Sequence, residues 1–249
     1  MAGALEILTP PTVRHAWFSA LAGLVLCCLL AGNPRAQEPR LPDLPRNPTK
    51  AEDQYEMGRR LEHGLGMKAN LKKAIEWYAK AAEQGHSAAQ GRMGKAYEEG
   101  TGVKRDTEEA LKWFRKAAEQ GHADSQNHLG FLHFLGRRVP HDDQQAEQWF
   151  RKAAEQGHAE AQSYLGIMFT GKSSLPTDYV QAHMWLQLSE EGGYSLAAMQ
   201  REDIERRMTS AQIEEARRRA DEWRARHRKP AEDPTAQFAA AAQGEQRAR

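Results

Sequence analysis

Four tryptophans, Trp77, Trp113, Trp149 and Trp185, stand 36 residues apart without exception. Gly85, Gly121, Gly157 and Gly193 keep the same interval, as do Ala74, Ala110, Ala146 and Ala182. Gly58, Gly94, Gly130 and Gly166 form a third glycine and alanine register, and Gln54, Gln90, Gln126 and Gln162 a polar one. A fixed period of this length is the mark of stacked supersecondary units, each unable to bury its apolar face alone.

One copy contains two helices. Ala89 to Glu99 reads as a helix with Met93 and Tyr97 on one face, broken by Gly100-Thr101-Gly102. Asp106 then caps a second helix, with Glu109 completing a capping box; Asn70, Asp142 and Asp178 hold the equivalent cap, and Gln145 and Gln181 the place of Glu109. That helix carries Ala110, Trp113, Phe114 and Ala117 at helical spacing and stops at Gly121. Gly58, Ala74, Ala81 and their counterparts are small enough to let two backbones approach, and the tryptophan is expected to fill the space beside them. After the fourth copy, Ala198 to Met208 continues as helix, Thr209 to Gln212 forms another capping box, and Ile213, Ala216, Ala220 and Trp223 recur at helical spacing up to Pro230. An Arg/Glu-rich outer face there suits a solubilising cap.

Leu129-Gly130, the Gly-rich turn, Asp106, Ala110, Trp113 and the run from Lys116 to Gln126 (KAAEQGHADSQ) resemble the Sel1-like repeat consensus. That family is related in architecture to tetratricopeptide repeats. The resemblance covers about residues 51–198, with drift in the fourth copy at Leu188 to Tyr194. It implies an all-α fold, an α/α solenoid of four Sel1-like helix-turn-helix repeats with a C-terminal capping helix. It also implies an adaptor that binds a protein or peptide partner in envelope processes or host contact. Cys-rich relatives associated with β-lactam binding depend on a disulfide in each repeat, absent here, so that activity does not carry over.

The flanks read differently. Arg14 and His15 precede an apolar run from Ala16 to Ala31, followed by Gly-Asn-Pro-Arg-Ala, the pattern of a secretory signal peptide over residues 1–36. The run falls short of the roughly 20 residues that comfortably span a bilayer. Pro34 occupies a position where cleavage prefers a small residue, and an uncleaved N-terminal anchor is the alternative. Cys27 and Cys28 both lie in this run, and Leu-Val-Leu before Cys27 is no lipoprotein context. A processed chain therefore carries no cysteine and needs no disulfide in a periplasmic or secreted location. Residues 37–50 are a Pro-rich spacer, 199–230 the capping helices, and 231–249 a low-complexity tail expected to be unstructured.

Charge excludes some partners. Lys+Arg number 35 and Asp+Glu 34, interleaved along helices, so no field favours nucleic acid. A membrane partner is expected only if the N-terminal segment is retained.

Three apparent chemistries dissolve on inspection. Gly166 to Ser173 matches G-x-x-x-x-G-K-[ST], but Gly166 belongs to the close-packing register and a loop follows Ser173, where a phosphate cradle needs a strand before it and a helix after it. His86, His122 and His158 occupy equivalent places in successive repeats, too far apart to share a metal. His128 and His133 lack the H-E-x-x-H arrangement. No nucleophile set or G-x-S-x-G elbow is present. No catalytic, nucleotide or metal site and no cofactor are expected, and a β-lactam or peptidoglycan enzyme, the alternative function, would need residues that cannot be found.

What remains is where the repeats differ. Register 59/95/131/167 reads Arg59, Lys95, Phe131, Ile167, and register 62/98/134/170 reads Glu62, Glu98, Phe134, Thr170. Charge in the first two copies marks these positions as water-facing, so Phe131, Phe134 and Ile167, joined by His128 and Tyr164, are the expected lining of a protein-binding groove.

Overall fold

The computed structural model describes residues 44–227. The expected leader (residues 1–36), residues 37–43 of the Pro-rich spacer, the last three residues of the expected capping segment (228–230) and the tail (231–249) lie outside the described residues. Ten α-helices and no strand occur among them: α1 (Ala51–His63), α2 (Leu71–Glu83), α3 (Ser87–Glu99), α4 (Thr107–Glu119), α5 (Ala123–Leu135), α6 (Asp143–Ala154), α7 (Ala159–Ile167), α8 (Tyr179–Glu191), α9 (Leu196–Glu205) and α10 (Ser210–His227). The odd-numbered helices up to α7 are the first helices of the repeats and the even-numbered ones up to α8 the second.

Each boundary has a chemical cause. Asn70, Asp106, Asp142 and Asp178 accept backbone N–H bonds in the first turn of the second helices. His86, His122 and His158 do the same for the first helices of the following repeats through Nδ1. The repeated histidines are thus helix N-caps. Gly64, Gly100 and Gly136 close the first helices in the left-handed conformation, where a side chain would be strained. α7 departs from this: it runs into a π-turn, Met168–Lys172, within which Gly171 is left-handed with φ 84°.

The helices of a repeat meet at the expected glycines, but the filler is not the tryptophan. A Cβ on Gly58, Gly94 or Gly130 would lie 2.5–2.8 Å from the ring of Tyr78, Phe114 or Phe150, and one on Gly166 2.8 Å from Leu186 Cγ. The residue after each tryptophan therefore points into the pair. Trp77, Trp113 and Trp149 sit half-buried one step round the helix, with the ammonium groups of Lys80, Lys116 and Lys152 4.1–4.3 Å from the ring centroids.

Glutamines stitch the repeats together. Nε2 of Gln90, Gln126 and Gln162 donates to the carbonyls of Ala82, Ala118 and Ala154 in the preceding repeat. Within each of the first three repeats, Gln84, Gln120 and Gln156 in turn donate to Oε1 of Gln54, Gln90 and Gln126. At the N-terminal end the carbonyl of Pro48 stands in for the missing repeat. These bonds satisfy buried amides between neighbours, the coupling a solenoid requires.

The C-terminal end is finished by two helices that both pack on α8. Ala197 and Ile204 of α9 are buried, and Ala216, Ala220 and Trp223 of α10 are buried beside them in sequence but on the other helix. The Trp223 ring meets Trp185 edge-on at 6.2 Å, leaving Trp185 1% exposed. Thr209 and Gln212 cap α10 reciprocally, Thr209 N–H to Gln212 Oε1 and Gln212 N–H to Thr209 Oγ1.

Candidate functional site

The first helices α1, α3, α5, α7, with α9 continuing the series, line one face. Two of the recesses along it are separated by an aromatic step. The first recess, about 430 Å³, lies among α1, α3 and α5 and carries Arg92, Lys95, Glu98, Asp124 and His128. The second, about 370 Å³, lies between α7 and α9 and is walled by Ile167 and Met199, with Leu186 and Ile204 beneath.

The aromatic step is built on the glycine register. Gly130 admits Phe150, and Tyr164 of the next repeat stacks on Phe150 at 5.0 Å and 17°. Phe131 and Phe134 close on Tyr164 at 5.5 and 6.5 Å, and Phe134 meets Phe150 edge-on at 6.4 Å. Both phenylalanines are half-buried and pack on the core. They present one side of each ring to the face, not the whole ring, because Tyr164 and Phe150 cover the other. Burial pushes the Tyr164 phenol above its ordinary value.

The other two expected residues fall on either side of this step. His128 belongs to the first recess, where its ring lies 4.3 Å from Phe114 and its Nε2 3.2 Å from Glu98. Burial lowers its pKa, with the Glu98 carboxylate opposing. His128 thus covers Phe114 as Tyr164 covers Phe150. Ile167 belongs to the second recess. The structure brings Phe131, Phe134 and Tyr164 together and distributes His128 and Ile167 along the same face.

Several residues on this face were not among those expected to line it. Arg92, Lys95 and Glu98 share a charged recess, with Arg92 paired to Glu62 at 3.3 Å. Met199 is 66% exposed and Leu196 51%, on a helix whose sequence reads as a polar cap. Two large apolar residues in an otherwise Arg/Glu-rich stretch were the available signal.

The other motifs occupy structural roles. Gly166 abuts Leu186, Ser173 Oγ donates to the Met168 carbonyl, and the G-x-x-x-x-G-K-S segment is a helix end followed by a loop. His86 Nε2 lies 3.0 Å from Glu52 and His158 Nε2 3.1 Å from Asp124, each holding one helix start. Among the described residues no three His, Cys, Asp or Glu side chains are grouped to hold a metal ion.

Comparison with known proteins agrees with this architecture. The Sel1 repeat model matches residues 51–86, 87–122, 123–158 and 159–194. A protective antigen of uropathogenic Escherichia coli with the same repeat fold is 32% identical, at a TM-score of 0.60, over 70% of this chain and 38% of its own. This chain therefore spans well under half the length of that relative. A Sel1 repeat protein of Oxalobacter formigenes is 29% identical at a TM-score of 0.59, over 77% of this chain and 73% of its own. No curated protein matches. With four consecutive repeats matched over residues 51–194, the chain belongs to the Sel1 repeat family.

Proposed function

We propose that the face formed by the first helices binds an extended segment of a partner protein, and that the chain acts after export as a scaffold, not an enzyme. The observation that carries the binding reading is the aromatic step of Phe131, Phe134 and Tyr164 between two recesses on one line of helices. Sel1 repeat proteins generally mediate protein–protein interaction, and buried-sided aromatics beside recesses suit a peptide whose side chains alternate into them. Support for export is the leader-like sequence of residues 1–36, with a periplasmic or secreted destination, or membrane anchoring if the leader is kept.

Site-specific photo-cross-linking in cells tests the binding face. A photoreactive residue in place of the exposed Lys95 or Met199 is expected to trap the same partner, while one at Lys112, exposed on α4, traps none. Cross-links confined to position 112 would reject the proposed face. Mass measurement of the mature N-terminus separates the exported chain, starting after Ala36, from the anchored one.

A further inference from the structure

We propose that the recess between the fourth repeat and α9 is a socket for an apolar side chain flanked by a carboxylate, so that the partner segment carries an acidic–apolar sequence at this end. The proposal rests on the first-helix face being the binding face.

The socket exists because the covering series stops. At the second and third junctions a ring from the next first helix lies over the aromatic beneath the glycine: His128 on Phe114 and Tyr164 on Phe150. The corresponding residue on α9 is Gln200, whose Oε1 instead accepts from Ser163 Oγ at 2.8 Å. Ile167, Met199, Leu186 and Ile204 are left around a space of about 370 Å³, large enough for one bulky side chain. Met199 remains 66% exposed.

The rim is cationic. Lys172, Arg206 and Arg207 line it against the single carboxylate of Asp203. Asp203 reaches Arg206 at 3.5 Å, but both side chains are more than half exposed, and such a pair neutralises little. Arg207 makes a 3.5 Å contact to the Tyr179 hydroxyl and otherwise shares the Asp203 carboxylate, leaving the rim with more cations than anions. The first recess is different, since Arg92 and Lys95 there face Glu98 and Asp124 in equal number. Of these two recesses, the last joins apolar walls to a surplus of positive charge, the complement of a carboxylate beside an apolar anchor.

The test is selection of phage-displayed random heptapeptides on the full processed chain, repeated on a chain with Lys172→Glu, Arg206→Glu and Arg207→Glu. All three positions are exposed, so the fold is retained, which circular dichroism verifies. The native chain is expected to enrich Asp or Glu within two positions of a large apolar residue. The reversed chain is expected to enrich Lys or Arg there and to bind the acidic peptides at least about 5-fold more weakly, roughly the effect of one exposed charge pair. Unchanged preferences, basic preferences in the native chain, or no enrichment at all would overturn the proposal. Enriched peptides are then measured against Met199→Glu and Lys95→Glu chains. Loss with Met199→Glu supports the socket. Loss with Lys95→Glu alone keeps the binding face but rejects the socket, and binding that survives both rejects the face itself.

Discussion

The first three repeats and the fourth share a backbone and finish it in different ways. In the first three, the tryptophan is half-buried and a lysine of its own helix lies over the exposed face of the ring. In the fourth, Leu188 replaces the lysine, and α10 lays Trp223 on Trp185. Trp223 is fixed in turn, its Nε1 donating to Glu155 Oε2 at 3.1 Å and its ring stacked 4.0 Å from His227. The same side chain is therefore a solvated surface element three times and a core element once. What decides is whether another helix arrives, not the residue itself.

The comparison breaks most readily at Trp185. Trp185→Ala is expected to cost about 3–5 kcal/mol, because a fully buried indole leaves a cavity under α10. Trp113→Ala should cost about 1–2 kcal/mol, since half the ring already meets water. Urea unfolding of the two variants checks this, and equal losses would mean that α10 does not seal the fourth repeat.

Lys116→Ala is a smaller probe. Removing the ammonium over Trp113 is expected to cost about 0.5–1 kcal/mol at an exposed site. No measurable change would show that the lysine only decorates the ring.

The histidine caps offer the finest contrast. Asp124 faces His158, while the place that would face His122 holds Ala88. His122 Nδ1 accepts from Ser125 N–H, and its ring meets Ser125 Oγ at 2.9 Å, so the cap needs the neutral imidazole. Burial lowers the His122 pKa; Asp124 at 4.0 Å opposes this, while Arg92, His86 and His158 reinforce it. The sign follows: the stabilisation is complete above the unfolded histidine value of about 6.5 and is lost as pH falls below it towards the lowered folded value. Ala88→Asp should raise the His122 midpoint in an NMR titration and narrow that acid loss, with a gain of about 0.2–1 kcal/mol at most. An unmoved midpoint would mean the new carboxylate does not reach the ring.

Much of the fold is legible because spacing and identity repeat together. Asp106, Asp142, Asn70 and Asp178 announce helix starts, and Gly58, Gly94, Gly130 and Gly166 announce close approach. The tryptophan's role is not legible in this way. Trp113 and Phe114 are adjacent and both apolar, and a helical period cannot say which of two neighbours faces the partner when the apolar stripe is wider than one residue. The candidate site is half legible for a related reason. Phe131 and Phe134 stand out against Lys95 and Glu98, but their burial comes from Tyr164 and Phe150, contacts between elements that no register comparison contains. Met199 is not legible in the same way, because α9 lies beyond the four-copy register and has no equivalent position to be compared with.

The glutamine contacts set how long such an array can be. Each internal junction is crossed by one such bond, so a further repeat placed between His122 and Ala123 would find its carbonyl waiting. Gln162 still donates to Ala154, but position 198, where the next glutamine of that register would stand, is Ala198. In polymer terms the array has an initiator at Pro48 and a terminator at Ala198, and length is encoded at those ends instead of in the monomer.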